Sequence, residues 1–122
     1  MTIEERMFLL PENLKHIGLA LVQFVYTFEK GKFEQATPKG EWIYQPNNFV
    51  AFNVQRGPVI SMHITNDYYP HDFAEKDIRI LPLVKGHWKP RCIIEGPQHL
   101  AIAARYIEVS HQRHGPKTQK GN

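Results

Sequence analysis

The sequence predicts an α+β fold, an antiparallel sheet of four or five strands with an N-terminal and a C-terminal helix packed on one face. Three observations carry that prediction. Apolar residues recur at helical spacing near both ends of the 122-residue chain. Between them lie short β-branched and aromatic runs punctuated by glycine, proline and asparagine. Short turns link those runs, which implies antiparallel pairing and leaves the two terminal helices to cover one side of the sheet.

Thr2 followed by Glu5 has the spacing of a capping box and predicts a short opening helix. Pro11 fits the first turn of a second helix, where its missing N–H costs nothing. Leu14, Ile17, Leu21, Phe24 or Val25, and Phe28 then give one broad apolar stripe. Lys30 and Gly31 are read as its end, a basic last turn followed by a glycine able to adopt positive φ, so the helix is expected over about 12–30.

Trp42-Ile43-Tyr44 reads as a short strand closed by Pro46-Asn47-Asn48. The clearest hairpin has arms at Phe49–Val54 and Val59–Thr65 around Gln55-Arg56-Gly57-Pro58. Alternation puts Val50, Phe52 and Val54 on one face with Ile60, Met62 and Ile64, and Asn53, Ser61 and His63 on the other. Asn66–Lys76 is read as a loop. A strand at Ile78–Val84 contains Pro82 and is therefore assigned to an edge or a bulge, and Arg91–Glu95 supplies the next one. Gly96-Pro97 opens the last helix, whose narrower stripe of Leu100, Ala103 or Ala104, and Ile107 carries it to about Ser110 or beyond. Residues 1–114 form one expected domain and 115–122 a disordered, polar, basic tail.

Charge follows the same division. The chain has 15 basic and 12 acidic residues, for a formal +3 with neutral histidines. Arg113, Lys117 and Lys120 lie within the last dozen positions, which hold no acid, so the remainder is balanced. The basic pI near 9.1 therefore says little about the folded surface. No apolar run reaches the 18 or more residues that span a bilayer, so no membrane association is expected. The lone Cys92 excludes an internal disulfide and multi-cysteine metal cages, and is assigned to the core. Low cysteine use and the absence of a basic, apolar leader at MTIEERMFLL are the basis for expecting a reducing, cytoplasmic location.

Three surfaces are candidates for function. The sheet face away from the helices is expected to be half exposed and to present Trp42, Tyr44, Asn53, Ser61 and His63. The loop TNDYYPHDFAEKD combines Asp67, Tyr68, Tyr69, His71 and Asp72 between two strands. His63, Asp67, His71 and His87 are the acid–base or metal-ligand candidates, although their spacing matches no HExxH-type pair and no metal or cofactor is expected. The segment VKGHWKPR interleaves Lys85, Lys89 and Arg91 with His87 and Trp88, a composition that can stack a base and neutralise phosphate. No RNP, KH, zinc-finger, P-loop or GxGxxG pattern accompanies it. The leading expectation is a small soluble binding or adaptor protein, not an enzyme, acting through a protein–protein or homo-oligomeric surface on the open face and the 66–76 loop. The alternatives are a nucleic-acid-binding protein using the 85–91 loop and tail, and a metal-assisted or acid–base enzyme.

Overall fold

Helix α1 (Ile3–Phe8) begins where the sequence places a cap: Thr2 Oγ1 accepts the Glu5 N–H at 3.1 Å and Glu5 Oε1 accepts the Thr2 N–H at 2.7 Å. The computed structural model describes residues 1–37, 40–54, 59–64, 78–81 and 91–114. Helix α2 (Glu12–Tyr26) follows, with Pro11 at its N-cap and the Pro11 carbonyl accepting the N–H groups of Leu14 and Lys15. It stops at Tyr26 rather than near residue 30. Thr27 is the reason: its hydroxyl folds back to donate to the Phe24 carbonyl at 2.6 Å, and its N–H closes the last turn. Gly31 serves close packing and not positive φ. A Cβ there would stand 2.4 Å from the Gln45 carbonyl oxygen and 2.7 Å from the Tyr44 ring. The left-handed glycine among the described residues is Gly40, at φ 95°, in the turn of the first hairpin.

The described strands are β1 (Lys32–Thr37), β2 (Glu41–Gln45), β3 (Val50–Asn53), β4 (Ile60–Ile64), β5 (Arg79–Leu81) and β6 (Arg91–Ile94). They form one sheet in the order β1-β2-β3-β4-β6-β5, antiparallel throughout. Its sixth strand is β1, which the sequence reading omits. Lys-Phe-Glu-Gln-Ala-Thr offers one large apolar residue, Phe33, and the rest is the polar dress of an edge strand. As Pro82 suggests, β5 is the other edge. After a 3₁₀ turn (Pro97–His99), helix α3 (Leu100–His114) closes the fold. The turn is pinned by His99, which is buried and accepts the Glu95 N–H on Nδ1 at 2.9 Å, so that nitrogen carries the lone pair.

Both terminal helices pack on one face. Leu14, Leu21 and Val25 of α2 and Ala103, Tyr106 and Ile107 of α3 share a single core with Phe33, Trp42, Tyr44, Phe52, Met62 and Ile94 of the sheet. The chain is thus one α+β domain. Trp42 and Tyr44 are corrected by this arrangement: they lie on the helix-covered face, 3% and 0% exposed, not on the second face. The register dictates it, because Trp42 pairs with Phe52 and Phe52 with Met62. Burying each large side chain is worth about 1.5–3 kcal/mol, while the same shift by one residue would put Glu41 and Gln45 inside. No helix among the described residues is long and apolar enough to cross a membrane.

Candidate functional site

The second face is built from the strand positions that alternate with the core. One row runs across the sheet from Glu34 on β1 through Ile43 on β2 and Ala51 on β3 to His63 on β4. The next runs through Glu41, Asn53, Ser61 and Ile93. Asn53, Ser61 and His63 therefore share the face that alternation assigns to them, and all three are half-buried. Ile43 and Arg91 are half-buried too, Ala51 and Ile93 are buried, and the Glu34 side chain is 54% exposed. Ala51 and Ile93 stand apart from the helix-side core. Among the described residues no helix lies over this face. Its middle is small and apolar, with Ala51 and Ile93 buried, and half-buried polar groups and the exposed Glu34 lie around it.

The remaining predicted positions divide simply. Arg91 lies at the start of β6. Asp67, Tyr68, Tyr69, His71, Lys85, His87, Trp88 and Lys89 lie outside the described residues, as do the 66–76 loop and the 115–122 tail. His63 is thus the one acid–base candidate that the structure locates. Among the described residues, no three His, Cys, Asp or Glu side chains come together as a metal site. Cys92 is fully buried, and burial pushes its thiol up to about 12, away from nucleophilic use.

A polar cluster that the sequence reading misses ties the C-terminal ends of both long helices to the sheet. Glu29 Oε2 accepts from Asn47 Nδ2 at 3.2 Å and meets His111 Nε2 at 2.9 Å. The Glu29 and His111 side chains are 6% and 15% exposed. The Tyr44 hydroxyl donates to the Glu29 carbonyl at 2.6 Å; burial, then the Glu29 carboxylate, hold that phenol above its ordinary value. His111 packs against Phe28 and Phe49, and Ser110 donates to the Phe49 carbonyl at 2.6 Å. His111 is not a solvated residue at a fraying helix end, because α3 continues to His114 and carries the ring onto Glu29. Chemically the pair resembles a carboxylate-oriented imidazole. Its Nε2 is engaged by Glu29 and its ring is flanked by two phenyl groups, so the arrangement pins α2, the β2–β3 connection and α3 together.

A shallow groove of about 500 Å3 lies at the β1–β2 edge, lined by Gly31, Lys32, Glu34, Gln45 and Pro46. Its charged pair, Lys32 and Glu34 at 3.8 Å, is solvent-exposed and supplies no desolvated acid–base couple. No family model, curated protein or solved structure matches the chain.

Proposed function

We propose that this is a noncatalytic binding protein of a reducing, cytoplasmic compartment, whose second sheet face docks against another protein surface. The observation that supports it is the contrast between the two faces. One is filled by α2 and α3; the other sets half-buried Ile43, Asn53, Ser61 and His63 around buried Ala51 with no described helix over them. A face with small residues at its centre and hydrogen-bonding groups around it suits association more than chemistry. The 66–76 segment follows β4 directly in the chain and brings Tyr68 and Tyr69, residue types common at interfaces, so it is part of the same proposal.

Hydroxyl-radical footprinting of the full chain tests this reading. Ile43 and His63 are expected to lose reactivity when dilute purified protein is moved into a concentrated lysate of its source cells. The exposed Phe8 and Leu9 at the end of α1 serve as the reference. Equal reactivity of Ile43 and His63 in both conditions would overturn it.

A further inference from the structure

We draw no further inference here: the strongest candidate, the exposed apolar patch that Phe8 and Leu9 form at the end of α1, carries nothing because nothing in the structure shows what covers it.

Discussion

Replacing Glu29 with alanine should unfasten the C-terminal ends of the two long helices from the sheet. Both bonds to its side chain converge on one oxygen, Oε2, from Asn47 Nδ2 at 3.2 Å and His111 Nε2 at 2.9 Å. A buried donor that loses its acceptor costs about 1–3 kcal/mol. Asn47 is fully buried and loses this acceptor where water cannot replace it, whereas His111, 15% exposed, can recover part of its share from water. The expected loss for Glu29→Ala is therefore about 2–4 kcal/mol, a large part of the ~5–15 kcal/mol that holds a domain together. Glu29→Gln is the informative companion. Its amide oxygen can occupy the Oε2 position and keep both bonds, while its NH2 falls where Oε1 has no partner among the described residues. That variant should lose less than about 1.5 kcal/mol, the worth of one charge-assisted contribution. Urea unfolding at neutral pH, followed by circular dichroism, reads both variants from the midpoint at unchanged slope. A Glu29→Ala loss below about 1 kcal/mol, or a Glu29→Gln loss equal to it, would refute the reasoning that hydrogen-bond geometry at Oε2 carries the stabilisation.

Thr2→Ala removes one bond of the reciprocal capping pair and the anchor of the other, and should lower stability by about 1 kcal/mol, visible as a fall in Tm. Gly31→Ala should cost about 1–3 kcal/mol in the same urea assay, because its Cβ would stand 2.4 Å from a backbone carbonyl oxygen that cannot rotate away. Raising the pH should destabilise the protein from about pH 9 onward. Burial raises Cys92 from 9.0 to about 12; burial, then the Glu4 carboxylate, raise Tyr26 from 10.0 to about 12. The folded state thus holds protons that the unfolded chain releases, so this stabilisation is complete below about pH 9 and is lost as pH approaches 12. A Tm that stays level between these limits would contradict it. Cys92 should react with a thiol reagent only at the rate of global unfolding, and rapid labelling of the native protein would show that it is not sealed in the core.

The helices and the central hairpin were legible because their signals are local. Thr2 and Glu5 are three residues apart, and the α2 stripe repeats within one helix. The faces of β3 and β4 follow from alternation alone. Trp42 and Tyr44 fell on the wrong face although the same rule applied. In Glu41-Trp42-Ile43-Tyr44-Gln45 the flanking Glu41 and Gln45 share a face with Ile43, so alternation already directs the two aromatics inward. Weighting them as exposed binding residues set that pattern aside. β1 is a different failure. Lys32 and Glu34 belong on an edge, where charge protects an unpaired strand from aggregation, and only Phe33 packing on Tyr44 betrays the pairing.

The polar cluster was beyond local reading for a reason that also shaped the view of function. Glu29 and His111 stand 82 positions apart, and Asn47 lies 18 from Glu29 in an unremarkable Pro-Asn-Asn turn. No periodicity links them. Only the packing of α2 and α3 on one sheet face brings them together. A search by spacing favoured histidines close to aspartates in sequence, such as His71 beside Asp72, over a histidine whose carboxylate arrives from the far end of the fold. The pair that the structure does show is buried, clasped between rings and engaged with neighbouring backbone and side chains, which makes it a fastening.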